Sequence, residues 1–85
     1  MTKYLEEILE DVKKEFKFAT NKYSGFNSLH EAYAIVLEEV NELWEEVKAS
    51  QKDSTRIKFA KKEAIQVATM AIRLIFDCCK KDDLR

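Results

Sequence analysis

The sequence predicts an all-α chain of three helices that assembles into an oligomeric helical bundle, and three observations carry that expectation. Proline is absent and Gly25 is the single glycine, so few positions interrupt a helix. Apolar residues recur every three or four positions over three long stretches, the period of a helix with one face turned to a core. The third stretch is apolar on nearly every side from Ala64 to Phe76, which is more surface than two amphipathic neighbours can cover. The remaining faces then call for a second copy of the chain. With 85 residues the chain is read as one domain, 1–85, and a domain of that size hides only roughly 60% of the surface its unfolded chain exposes.

Each helix has recognisable ends. Thr2 is placed to cap the first, with Glu6 and Glu7 near its positive end and Leu5, Ile8, Leu9, Val12, Phe16 and Ala19 along one face to about residue 22. Lys22-Tyr23-Ser24-Gly25-Phe26-Asn27 breaks the period, and Gly25 is expected to supply a left-handed helix end. Ser28-Leu29-His30-Glu31 matches a capping box that opens the second helix. Its expected core face is Leu29, Tyr33, Val36, Leu37, Val40, Leu43, Trp44 and Val47, fading into Ser50-Gln51-Lys52-Asp53-Ser54. Asp53 or Ser54 caps the third helix, which reaches roughly residue 80, where Lys80 and Lys81 favour its negative end.

Charge and composition exclude several classes of partner. Hydrophobic residues at 46% beside charged residues at 36% suit a folded bundle and not a disordered chain. A net charge of −1 creates no field that would draw a nucleic acid polymer or an anionic membrane. No segment has the roughly 18 apolar residues of a membrane span, and the N-terminus lacks the apolar core of a signal peptide, so a cytoplasmic location is expected. Cys78 and Cys79, adjacent in sequence, suit neither an ordinary disulfide nor a zinc site and read as packing.

The informative residues are acids. At about 100° per residue, Glu39, Glu42 and Glu46 share a stripe with Ala32 and Ile35 beside the main apolar face, whereas Glu38 and Glu45 project more nearly opposite. Glu63 falls on the side of Val67, Met70 and Leu74 in the third helix, with Gln66 one turn along. Two carboxylates three residues apart, facing a third from a neighbouring helix, form an all-oxygen nest for a hard ion such as Mg²⁺ or Mn²⁺. On spacing alone, a solvated acidic face accounts for the same residues. Lys58, Lys61 and Lys62 can meet a triphosphate tail or simply face water. Arg73, on the most apolar helix, needs Asp77, an acid across an interface, or a phosphate. Tyr33 and Trp44 can stack on a base but read first as core.

The run Glu38-Glu39-Val40-Asn41-Glu42-Leu43, followed about twenty residues later by Glu63-Ala64-Ile65-Gln66-Val67, resembles the paired acidic motifs of MazG-like nucleotide pyrophosphohydrolases, the all-α NTP pyrophosphatase superfamily. That resemblance implies helical dimers or tetramers that hold Mg²⁺ on a Glu-x-x-Glu pair and a Glu-x-x-Asp pair and cleave a nucleoside triphosphate to monophosphate and pyrophosphate. Glu39 and Glu42 match the first pair and Glu63 the first acid of the second. Gln66 stands where the family has aspartate; its amide oxygen can ligate a metal without bringing charge. The expected site is therefore Glu39, Glu42, Glu63 and Gln66 on the metal, Glu38 as supporting base, and Lys62 and Arg73 on the substrate. The rival expectation is a non-catalytic bundle of the same fold that binds a nucleotide or a protein partner.

Overall fold

The computed structural model describes residues 2–79, and every described regular element is helical. Helix α1 spans Thr2–Lys22, α2 Leu29–Lys52 and α3 Ile57–Cys78, with a short 3₁₀ turn, Ser54–Arg56, between the last two. Lys80 and Lys81, expected at the end of the third helix, lie outside the described residues.

Local chemistry fixes the connections. The Ser28 side chain accepts the Glu31 amide at 3.1 Å, as a capping box requires. Glu31 reaches back one residue further than the standard box, accepting the Asn27 amide at 3.2 Å. Asp53 ends α2 through its own N–H to Ala49, and its carboxylate accepts both the amide and the hydroxyl of Thr55. Asp53 thus caps the 3₁₀ turn and not the third helix as expected; α3 starts at Ile57, and Arg56 before it makes no side-chain cap. Arg56 then ties this corner to α2 through a fork on Glu46, with N–O distances of 2.8 and 3.0 Å from Nη2.

Gly25 corrects an expectation. No described glycine has positive φ, so α1 does not end in a left-handed residue. A Cβ on Gly25 would instead lie 3.3 Å from three atoms of the Asp77 carboxylate, and that carboxylate accepts the Phe26 amide at 3.0 Å. A side chain there would press on that carboxylate, which would have to shift by a few tenths of an ångström.

Packing is the larger departure. Helix α3 lies in the middle, in contact with α1 on one flank and α2 on the other, while α1 and α2 do not pack on each other. The result is an open layer of helices and not a closed triangle. Its radius of gyration is 14.3 Å, against about 12 Å for a compact chain of this length. The fully enclosed residues are few: Val12, Ala19, Ala32, Met70, Thr69 and Arg73. Ala32 and Thr69, both completely buried, are small enough to let α2 and α3 approach closely.

This arrangement divides the expected core face of α2, of which Val36, Leu43 and Val47 are half-buried. Leu29, Tyr33, Leu37, Val40 and Trp44 are exposed, Tyr33 at 62% and Trp44 at 56%. The stripe facing α3 is the flanking one that contains Ala32, Ile35 and Glu39. On α1 and α3, Leu5, Leu9, Phe18, Ile72, Ile75 and Phe76 are exposed as well. A domain ordinarily closes its core with at least two packed layers, and one chain supplies a single layer here.

Candidate metal centre

Because the acidic stripe of α2, and not its most apolar one, packs on α3, carboxylates meet where a core would otherwise form. Glu39 and Glu42 from α2 and Glu63 from α3 each bring an oxygen within 4.8 Å of the others. Glu39 and Glu63 are half-buried and Glu42 is exposed, so the cluster is partly sheltered and opens to solvent at Glu42. Burial, then Glu42, Glu63 and Glu38, push the Glu39 carboxyl up to about 7 from an ordinary 4.5. Glu63 is raised too, by burial first and then by Glu42 and Glu46, with Lys62 opposing. One Glu63 oxygen, Oε2, is buried without a hydrogen-bond partner. A buried acceptor ordinarily has a partner, and beside two further carboxylates either a shared proton or a cation can supply one.

The donor set fits a hard divalent ion. All three ligands are oxygen, and opposite oxygens around Mg²⁺ lie about 4.2 Å apart, within a small side-chain movement of the observed cluster. The other expected participants fall into distinct places. Gln66 is turned to the α1 flank of α3, where its amide donates to Glu15 at 2.8 Å. The expectation of Gln66 as a fourth ligand is corrected accordingly: its azimuth, some 60° from that of Glu63, carries it to the other neighbour. Lys62 lines a cavity of about 280 Å³ on that same flank, together with Lys14, Lys58 and Lys61 and the acids Asp11 and Glu15. Glu46, near enough to raise Glu63, is engaged by Arg56, and the Asp77 carboxylate accepts the Phe26 amide.

Glu38 does not join the three carboxylates but lines an adjoining cavity of about 330 Å³ together with Glu39, Phe26, Met70 and Arg73. Arg73 is 3% exposed. Its Nη2 donates to the Ser24 carbonyl at 3.0 Å and stands 3.9 Å from Asp77, the guanidinium lies 4.7 Å over the Phe26 ring, and Nε has no partner. The intramolecular ion pair is thus present, though long. The turn contribution of Ser24 and Phe26 was invisible to helical periodicity; the signal available was the short, polar α1–α2 connection beside a C-terminal Arg-x-x-x-Asp.

The crowded carboxylates set a pH dependence. Glu39 binds its proton more tightly in the folded chain than in an unfolded one, and Glu63 shifts in the same direction. Between about pH 4.5 and 7 the native state therefore holds more protons than the unfolded state, and stability falls as pH rises through that window. In chelator, the melting temperature should drop between pH 5 and 8, and Glu39→Gln should flatten the slope; an equally steep fall in that variant would contradict the assignment.

No protein-family model matches the chain, and no curated protein or solved structure matches it either.

Proposed function

We propose that the chain is a metal-dependent nucleoside triphosphate pyrophosphohydrolase of the MazG-like kind. The observation that carries this reading is the convergence of Glu39, Glu42 and Glu63 from two helices, with one Glu63 oxygen buried and unpaired. Glu39, Glu42 and Glu63 would hold Mg²⁺ or Mn²⁺, which supplies Lewis acidity toward phosphate oxygens and a more acidic bound water. The chain itself supplies the pair of helices that holds the three carboxylates, with one Glu63 oxygen sheltered from solvent. Water attacks the α-phosphorus, the bond to the α–β bridging oxygen breaks, and nucleoside monophosphate and pyrophosphate leave. Arg73 sits in the adjoining cavity, where substrate bound at the carboxylates would extend.

The test is release of pyrophosphate from ribo- and deoxyribonucleoside triphosphates in the presence of Mg²⁺ or Mn²⁺. Turnover of at least one triphosphate is expected, with none in chelator. The second reading, a non-catalytic bundle binding a nucleotide or protein partner, is favoured by one observation: Gln66 serves Glu15 and leaves three carboxylates where the resemblance implies four. Nucleotide binding without turnover would select it.

The working form is proposed to be a homo-oligomer. The exposed stripe Leu29, Tyr33, Leu37, Val40 and Trp44 has steps of four, four, three and four residues, the spacing of a helix-to-helix seam. Packing such a face against a second copy would give the single layer its missing partner. The solution mass should be that of a dimer or larger at micromolar concentration, and Leu37→Glu with Trp44→Glu should shift it toward the monomer. A folded monomer of the unaltered chain would refute this.

A further inference from the structure

Helix α1 carries the same surface twice with its charge inverted. Leu5, Glu6, Leu9 and Glu10 return seven residues later as Val12, Lys13, Phe16 and Lys17. Seven residues fall only about 20° short of two full helical turns, so both sets lie on one stripe. The N-terminal set is apolar and acidic, the C-terminal set apolar and basic. All four charged side chains are exposed, and none takes part in an ion pair among the described residues.

The basic set borders a groove. Val12, Lys13, Phe16 and Lys17 from α1 and Ile72 and Phe76 from α3 line an open space of about 260 Å³, with the Phe16 and Phe76 rings edge to face at 5.2 Å. Phe76 is 70% exposed and Ile72 43%, so this chain leaves the groove uncovered. Leu5 and Leu9, each 51% exposed, form a ridge further along the same stripe. Ridge and groove on one surface make it self-complementary: a half-turn about an axis level with Asp11, the midpoint of the two sets, lays the ridge of each copy on the groove of the other. The same half-turn runs the two α1 helices antiparallel and sets Glu6 and Glu10 of each copy against Lys13 and Lys17 of the other. A parallel pairing would put acid on acid and base on base, which the charge pattern opposes.

We propose that the α1–α3 face docks a second copy of this chain in that antiparallel arrangement, Leu5 and Leu9 entering the groove and the acidic half of α1 meeting the basic half of its mate. The face lies on the α1 flank of α3, apart from the exposed stripe of α2. Together the two give each chain two different self-complementary faces, the requirement for a tetramer built of two kinds of contact. Without a contact through α2, the α1 pairing gives a dimer.

The experiment is sedimentation equilibrium of the full chain and of variants that recharge the strip at exposed positions. Glu6→Lys with Glu10→Lys makes it wholly basic, and Lys13→Glu with Lys17→Glu makes it wholly acidic. Either variant alone meets four like-charge contacts across the twofold axis and should associate through this face on the order of 100-fold more weakly. Its mass at micromolar concentration should then be half that of the unaltered chain. An equimolar mixture sets basic strip against acidic strip and should regain the full mass in a 1:1 complex, less completely in about 1 M salt. The fourfold variant that exchanges all the signs should regain it alone. These comparisons hold with or without a contact through α2: doubling on mixing while Leu37→Glu with Trp44→Glu changes nothing keeps this face and removes the other. A variant that alone keeps the mass of the unaltered chain, as it would if the face took a different protein, overturns the proposal. So does a mixture that stays at the mass of its components, or a fourfold variant that fails to recover.

Discussion

Replacing Glu63 with glutamine should lower pyrophosphate release more than about 100-fold, a loss larger than that from disturbing groups one shell out from a metal. The same change should make the metal-free protein more stable. Glu63 carries the buried, unpaired oxygen of the cluster, and its charge is disfavoured by burial and by Glu42. Neutralising it relieves the repulsion that also raises Glu39. On the proposed reading a divalent cation would perform that relief in the unaltered chain, so Mg²⁺ or Mn²⁺ should raise the melting temperature through preferential binding to the folded state. In Glu63→Gln the starting temperature should be higher and the increment smaller. The two curves, measured with and without metal, therefore cross in a defined order. A metal increment equal in both proteins would remove Glu63 from the site, and a lower metal-free melting temperature would show that the cluster is not under charge strain.

How far the sequence disclosed this arrangement differs between its levels. The helices were legible and their joints only in part: Ser28 and Glu31 meet as their spacing requires, but Gly25 does not end α1 in a left-handed residue, and Asp53 caps the turn after α2 while α3 itself starts after Arg56 without a side-chain cap. Within the carboxylate triad, helical azimuth put Glu39 and Glu42 on one stripe, while Glu63, on another helix, was joined to them by the resemblance of the paired acidic motifs; the three do meet. What periodicity could not reveal was which stripe meets which neighbour. Hydrophobicity ranked the Leu29 to Trp44 face of α2 as the core, yet the chain buries the smaller stripe through Ala32. The strongest apolar stripe marks the face that most needs covering, and in an oligomer that covering need not come from the same chain. Gln66 illustrates the same limit at one residue. Its position three after Glu63 suggested a shared ligand role, but a central helix with different neighbours on its two flanks divides side chains only 60° apart.

Arg73→Met should destabilise the chain by roughly 2–4 kcal/mol, the range for leaving buried hydrogen-bonded or ionic partners unpaired. Methionine fills much of the arginine stem's volume, so the effect isolates the guanidinium. That group donates to the Ser24 carbonyl, neighbours Asp77 and covers the face of Phe26, so it joins the α1–α2 turn to the end of α3. Without it the Ser24 carbonyl loses its donor and Asp77 its only nearby cation among the described residues, although Asp77 keeps the Phe26 amide. For a chain of this size the loss corresponds to a fall in melting temperature on the order of 10–25 °C. Protein concentration must be held constant across the variants, because an oligomer's melting temperature depends on it. Two further substitutions divide the loss. Arg73→Lys keeps the charge without the planar fork and should lie between the two. Adding Asp77→Asn to Arg73→Met removes the stranded charge while an amide oxygen still accepts from Phe26, and should recover part of the stability. A fall below about 3 °C in Arg73→Met, or no recovery in the double variant, would mean that the turn is held by Gly25, Phe26 and Asp77 alone and that the arginine is dispensable to the fold.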